Sequence, residues 1–483
     1  MFTSLHVFST LIIAVHWLII VLLSLRVILR RLPVGISLAW LAIVFSLPFV
    51  GASAYLIFGE KRLGKGRRDR ELSAIKDSQK GTAVLLEGTE TASPPAGSCG
   101  EPIYHHVQRV LDLPALLHNR LKLLNDFESI FNSIIADINT AQESCRLGFY
   151  LWHEGGRVSD VIDALIQARR RGVTCQLMAD AIGSKEFLKG KEARRLHDAG
   201  IEFVIALPST IGRRMDLRNH RKIIVVDGRI GYTGSQNMVD PRFFKQESGV
   251  GSWVDALVRI EGPAVALLSN VFQIDWCVES EIPFEQHGRS IKSSEQYNSG
   301  AETLLQVVPS GPVYQPQVIY QLILTAIYSA RHELILTTPY FVPDESVTTA
   351  LLSAAFRGVD VTLILPALNN SFLVRHASVA LFDKLMEAGV RIALFEGGML
   401  HTKSMVIDGE VSLFGSVNLD MRSMWLNFEI SLFVYGADFA SRLKSLQESF
   451  LVQSVIADIE VWRKRPACLR LIDDTIRLFG PLL

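Results

Sequence analysis

Three things that usually direct a functional reading are missing from this chain. It has no net charge: across 483 residues, Lys plus Arg and Asp plus Glu both number 49. The whole molecule therefore offers no field that would gather nucleic acid, and a nucleic-acid role is disfavoured. It has no clustered cysteine. Cys99, Cys145, Cys175, Cys277 and Cys468 form no close pair and no metal-type spacing, which suits a reducing compartment and indicates neither a zinc site nor a redox site. It also has few long apolar runs beyond its start, although apolar residues make up 49% of the whole.

That start is distinctive. From Leu5 to Leu25 the sequence is almost unbroken Leu, Ile, Val and Phe, and a second run follows from Val34 to Phe58. A helix rising about 1.5 Å per residue crosses a hydrocarbon layer of about 30 Å with roughly 20 such residues, so the two runs predict a transmembrane hairpin. A cleaved signal peptide fits less well, because no basic region precedes the first run and the second is too long for an appendage. Arg26, Arg30, Arg31 and Pro33 mark the turn, and Lys61, Arg62, Lys65, Arg67, Arg68 and Arg70 follow the second run. The heavier basic cluster places both outer ends, and with them the rest of the chain, on the cytoplasmic side. His16 lies inside the first run, where a histidine turned toward the partner helix is the expected role.

What is present elsewhere is a duplication. His220-Arg-Lys222 with Asp227, then Gly234-Ser235-Gln-Asn237, is matched by His401-Thr-Lys403 with Asp408, then Gly415-Ser416-Val-Asn418, and the internal spacing is the same in both. The repeat is wider than the motif: Ala164–Val173 resembles Ala350–Val359, and Asp198-Ala-Gly200-Ile201 resembles Glu387-Ala-Gly389-Val390. Each half alternates strands with helices of 10 to 15 residues, so we expect an α/β fold built from two similar α/β/α domains about a pseudo-twofold axis. The expected boundaries are a hairpin at 1–60, a basic segment and loosely ordered linker at 61–105, one domain at 106–280, a linker at 281–300, and a second domain with a helical tail at 301–483.

Within each motif, Asp-Gly after a short apolar run predicts a tight hairpin turn. With a two-residue turn, Val226 faces Arg229, Lys222 faces Thr233 and His220 faces Ser235; His401 likewise faces Ser416. Because strand side chains alternate, His and Lys two apart leave one face together. The candidate catalytic set is thus His220, Lys222, Asp227, His401, Lys403 and Asp408. The two aspartates, five residues beyond the lysines at the turn end, are better turn and framework residues than proton carriers. Ser235, Asn237, Ser416 and Asn418 are candidate substrate-binding residues. A catalytic histidine needs an acceptor on its second ring nitrogen, and the candidates are Asp255, 35 residues after His220, and Glu429, 28 after His401.

On these residues the chain resembles the phospholipase D superfamily, and more narrowly the bacterial cardiolipin synthases. The narrower likeness rests on Arg218-Asn-His220-Arg-Lys222, Thr338-Pro-Tyr-Phe-Val-Pro-Asp344, Gly415-Ser-Val-Asn-Leu-Asp-Met-Arg-Ser423, Asn427-Phe-Glu429, and the end Gly480-Pro-Leu-Leu483. The resemblance implies a phosphatidyltransferase of the bacterial inner membrane that acts on phosphatidylglycerol through a phosphohistidine, without metal or other cofactor; the alternative is a phospholipase D-type phosphodiesterase, or a phosphatidyltransferase with another donor or acceptor. By analogy His220 is the nucleophile and His401 the acid and base. The segment from Val455, with Arg463, Lys464, Arg465 and Arg470 among apolar positions, is a candidate for the bilayer surface.

Overall fold

The computed structural model describes residues 2–30, 34–59, 63–208, 216–284, 303–314 and 317–480. Arg31, Pro33, Lys61, Arg62, most of the 281–300 linker and Pro481–Leu483 lie outside them. Met1–Gly66 with Ser209–Leu217 form one compact unit, and Arg67–Pro208 with Arg218–Leu483 form another.

In the first unit a 28-residue helix, Phe2–Leu29, is followed by Val34–Ser46, Pro48–Ala54 and a π-helical turn, Tyr55–Gly59. The second apolar run is thus broken rather than one helix. Pro48 has no amide hydrogen to give the preceding turn and opens the third helix at its first position. The His16 ring meets Phe49 of that helix edge-on at 6.2 Å. Among the described residues no helix is long and apolar enough to cross a membrane; in Phe2–Leu29 the side chains of residues 2–10, 12 and 13 are not among them.

The second unit is built on one 15-stranded sheet. Its first half supplies β1 (Leu116–Leu124), β2 (Ser144–Phe149), β3 (Thr174–Asp180), β4 (Glu202–Ala206), β5 (Ile223–Val226), β6 (Ile230–Gly234) and β7 (Leu257–Glu261). The second half supplies β8 (Thr303–Ser310), β9 (Glu333–Thr337), β10 (Asp360–Pro366), β11 (Arg391–Phe395), β12 (Ser404–Ile407), β13 (Val411–Gly415), β14 (Glu429–Tyr435) and an edge strand, β15 (Ser454–Ile456). Outward from the join, the first half runs β1-β7-β6-β5-β2-β3-β4 and the second β8-β14-β13-β12-β9-β10-β11. The pattern is one connectivity used twice. At the join β1 and β8 are antiparallel, Leu116 opposite Leu305 and Asn119 opposite Thr303, as a local twofold requires of equivalent neighbours.

Alternation along the strands makes the sheet the middle of three layers. Ile223 and Val225 enter one core and Ile224 and Val226 another; Val406 likewise faces away from Met405 and Ile407. The core shared by both halves is covered by the helices Ala264–Ser280 and Ala437–Val452; the first half closes its other face with its own helices, and the second with its own together with Glu101–Leu111, whose Ile103, Tyr104 and Val107 join that core. Nearly half of the expected loose linker at 61–105 is one helix, Lys65–Leu85. It is held by Ala74 against Ile274 and Val278 and by Arg67, which pairs with Glu71 at 2.7 Å and Glu279 at 2.6 Å. Scattered apolar positions between charges hid this helix from a periodicity reading.

Candidate functional site

The hairpin that carries each motif has the predicted turn but not the predicted register. The Arg229 amide donates to the Val226 carbonyl at 3.0 Å, and the Glu410 amide to Ile407 at 2.9 Å. Both Asp and Gly of each turn have positive φ. The ladder, however, pairs Val226 with Ile230 and Ile407 with Val411. One extra residue, Arg229 or Glu410, sits on the returning strand, so each partner shifts by one and Thr233 faces Ile223 instead of Lys222.

Asp227 and Asp408, grouped above with the catalytic residues, sit at the far end of these hairpins. Asp227 accepts the amides of Gln142, Glu143 and Ser144 at 2.7–2.9 Å, and Asp408 those of Arg331, His332 and Glu333. Their carboxylates tie each turn to the start of β2 or β9. They are framework, and the four strand residues that lie between each of them and its lysine explain why.

The two histidines face one cavity of about 540 Å³, lined also by Tyr150, Trp253, Tyr340, Asn237 and Asn418. Each takes its acceptor from the opposite half. His220 Nδ1 lies 3.0 Å from Glu429 Oε2, and His401 Nδ1 lies 2.7 Å from Asp255 Oδ1. The cause is backbone pairing. The His220 amide donates to the Phe428 carbonyl at 2.9 Å, and the His401 amide to Val254 at 2.8 Å; Met399–Leu400 runs parallel to Trp253–Val254. The residue after each pairing site is the carboxylate. Sequence order suggested the uncrossed assignment, Asp255 with His220 and Glu429 with His401, and the fold reverses it.

Lys222 and Lys403 are buried behind the histidines rather than on the cavity surface. Their ammonium groups donate to the carbonyls of His220 and His401 at 2.7 and 2.5 Å. Ser416 Oγ donates to Glu429 Oε2 at 2.5 Å, and Ser235 exchanges hydrogen bonds with the main chain of Ala256. The serines brace carboxylate and strand; they do not line the cavity. Asn237 and Asn418 do line it. The glycines before the serines are forced by close approach: a Cβ on Gly234, at φ +156, would sit 2.6 Å from the Ala256 carbonyl, and one on Gly415 2.3 Å from that of Ile430.

Burial dominates the electrostatics. It pulls the His220 imidazole down to about 4 and His401 to about 3, against the raising pull of Glu429 and Asp255. Burial also lowers Lys222 to about 8 and holds Lys403 well below its usual value. For the two carboxylates burial acts upward, but the neighbouring histidines and lysines outweigh it and keep both below the ordinary range. Both histidines are therefore neutral near pH 7. An ionised carboxylate only accepts, so each Nδ1 carries the hydrogen and each Nε2 keeps its lone pair.

Reasoning from sequence missed the aromatic walls. Tyr150 leans on His220 at 5.0 Å between centroids, and Trp253 on His401 at 4.3 Å. The position of Trp253, two before Asp255, was the available signal. It also missed Arg221, the middle residue of the first motif. This arginine pairs with Asp275 at 2.5 Å and donates to the carbonyls of Glu429 and Ser310, fixing the strand that carries Glu429. Asp180 is fully buried and accepts the amides of Ile182, Gly183 and Asn219, a framework role.

Residues 134–276 and 323–450 match the family described as cardiolipin synthase, PLD-like domain, and residues 14–60 match one described as the phospholipase D-nuclease N-terminal region. Cardiolipin synthase A of Proteus mirabilis (strain HI4320) is 42% identical over 477 residues, 97% of either chain. Cardiolipin synthase A of Yersinia pseudotuberculosis serotype O:3 (strain YPIII) is 40% identical over 475 residues, again 97% of each. Among solved structures, the phosphatidylserine synthase of Haemophilus influenzae superposes with a TM-score of 0.61 at 13% identity, covering 79% of this chain and all of that one. That likeness speaks for the fold alone.

Proposed function

This chain belongs to the cardiolipin synthase family of phospholipase D-like proteins, and from that membership we propose that it is a phosphatidyltransferase joining two phosphatidylglycerol molecules into cardiolipin with release of glycerol. The observation that carries the chemistry is the pair of buried neutral imidazoles facing one cavity, each with Nδ1 held by a carboxylate of the opposite half.

In the first step the lone pair on His220 Nε2 attacks phosphorus, and the bond from phosphorus to the glycerol oxygen breaks. The departing oxygen takes a proton from His401 Nε2, which has first taken it up from solvent as the anionic phosphodiester enters. His401 is neutral in the empty site; an arriving phosphodiester adds a negative charge that raises its affinity for that proton. In the second step the neutral His401 removes the proton from a hydroxyl of a second phosphatidylglycerol, whose oxygen attacks the phosphohistidine and frees His220. Asn237 and Asn418 hold the nonbridging oxygens from the cavity wall, while the buried charges of Lys222 and Lys403 oppose the charge that builds there.

The N-terminal unit is read as a membrane hairpin with the catalytic part on the cytoplasmic side of the inner membrane. Three features support this: the 28-residue first helix, the outward Leu11, Trp17, Leu18 and Leu22, each more than half exposed, and the basic residues after the second run. The boundaries 106–280 and 301–483 mark the two halves that share the site. The deciding assay gives purified protein phosphatidylglycerol labelled in its head group. Cardiolipin with labelled glycerol supports transfer, whereas phosphatidic acid alone makes the protein a hydrolase. A parallel sample labelled at the phosphate instead, quenched in alkali, yields a labelled His220 peptide if the phosphohistidine forms.

A further inference from the structure

Large apolar side chains stand exposed at the rim of the active-site cavity, and two of them occupy positions that the internal twofold relates. β3 and β10 are equivalent strands, and the second residue beyond each is apolar and open to solvent: Ile182 at 39% and Leu368 at 47%. Ile182 itself lines the cavity. Beyond Leu368 the chain turns into the short helix Phe372–Val379, capped by Ser371 Oγ, which accepts the Val374 amide. Ser371 and Val374 line the cavity, while Phe372 and Leu373 between them point outward at 65% and 45% exposure. On the other half Phe244 and Lys245 line the cavity, and their neighbour Phe243 is 58% exposed.

Scattered exposed apolar residues need no explanation, but an apolar rim continuous with a reacting cavity does. We infer that Ile182, Phe243, Leu368, Phe372 and Leu373 form a membrane-docking surface that seats the cavity mouth on a phospholipid bilayer. The inference rests on the lipid-transfer reading and deepens it. A diacyl substrate whose phosphate enters this polar cavity keeps its chains in the bilayer, so the mouth has to meet the interface. Apolar side chains around the mouth gain free energy by entering the acyl boundary, and a cation such as Lys245 suits anionic head groups. The occupant is therefore a lipid surface.

The test compares the full-length protein with Leu368→Ser/Phe372→Ser/Leu373→Ser, none of which belongs to the catalytic machinery. Each is reconstituted in phosphatidylglycerol vesicles and assayed separately on a short-chain, monomerically dispersed phosphatidylglycerol. The expected result is a loss of about tenfold or more on vesicles, with short-chain turnover within about twofold of wild type; Phe372→Leu restores most of the vesicle activity. Equal activity of the triple variant on vesicles overturns the proposal, as does an equal loss on both substrates. In parallel, Phe372→Trp in vesicles of brominated phosphatidylglycerol reports docking without turnover, and its added fluorescence is expected to be quenched. If transfer fails on every lipid but quenching occurs, the functional reading falls and the docking surface stands. Added fluorescence that stays unquenched in the Phe372→Trp variant, or a triple variant that turns a detergent-solubilised dimer into monomers, assigns the rim elsewhere and sinks the inference.

Discussion

Glu429→Gln keeps the shape of the group beside His220 and removes its charge. The carboxylate accepts from His220 Nδ1 at 3.0 Å and from Ser416 Oγ at 2.5 Å, with Lys222 adding attraction inside the same buried cluster. A buried hydrogen bond to a charged group is worth about 1.5–3 kcal/mol, or about 10- to 150-fold in rate at about 1.4 kcal/mol per decade. An amide that offers its NH2 to Nδ1 also drives the imidazole into the wrong tautomer, a fault that costs about 10⁴-fold in a serine-protease triad. Transfer is therefore expected to fall about 10²- to 10⁴-fold, and Asp255→Asn is expected to do the same through His401. A substrate whose leaving group departs unprotonated, such as a nitrophenyl phosphodiester, separates the two variants. For the first step it makes the acid dispensable but not the nucleophile. Rapid mixing then reads a burst of nitrophenolate, and peptide mapping of the trapped intermediate says which histidine is labelled. With the label on His220, Glu429→Gln abolishes the burst and Asp255→Asn retains it; with the label on His401 the two exchange. A burst lost only with the carboxylate from the same half as the labelled histidine would refute the crossed arrangement.

Acid should destabilise the protein early. The folded-state values of about 4 and 3 for His220 and His401 lie below the usual 6.5, so the unfolded chain binds protons first, and stability that is complete above about pH 6.5 is lost as the pH falls toward 4. The slope is up to about 1.4 kcal/mol per pH unit for each histidine, and a thermal midpoint that stays flat from pH 7 to 4.5 would contradict buried neutral imidazoles. Asp408→Asn weakens three backbone contacts far from the cavity. It should cost about 1–3 kcal/mol in chemical unfolding and leave the folded enzyme within about fivefold of wild-type transfer; a folded variant inactive by more than 100-fold would return Asp408 to the chemistry. Lys403→Met should lower kcat by about 100-fold or more with an unaltered far-UV circular dichroism spectrum, and an unchanged kcat would end its proposed role.

The fold was largely legible because duplication leaves two independent traces of each element. The motif hairpins, the alternating halves and the asparagines at the cavity could all be read from equal spacing and period-two alternation. The register was not legible. An Asp-Gly pair fits a turn with or without a bulge after it, and only the ladder shows that Arg229 and Glu410 are the extra residues. The Lys65–Leu85 helix was hidden for a different reason: its stability comes from contacts made across the chain, with Ile274, Val278 and Glu279, and not from a strong apolar face of its own. The lysines could be placed on the same strand face as the histidines, but whether that face opens onto solvent or is sealed depends on the other half.

The crossed carboxylates were the least accessible feature, and the reason is chemical. Asp255 and Glu429 satisfy either histidine equally well, so no choice of residue type records which pairing the fold makes. What decides is the main chain. Arg218–His220 pairs with Phe428, and Met399–His401 with Trp253–Val254, so each histidine is delivered beside the residue that follows its partner strand. Neither half, then, contains a complete acid–base unit: each supplies an imidazole and receives the group that orients it. A change in the backbone of one half, for instance at Phe428, must be felt first at the histidine of the other. The proposed two-step transfer on a single phosphorus needs both histidines in matched geometry, and an exchange of carboxylates across the twofold ties the orientation of each ring to the docking of the two halves.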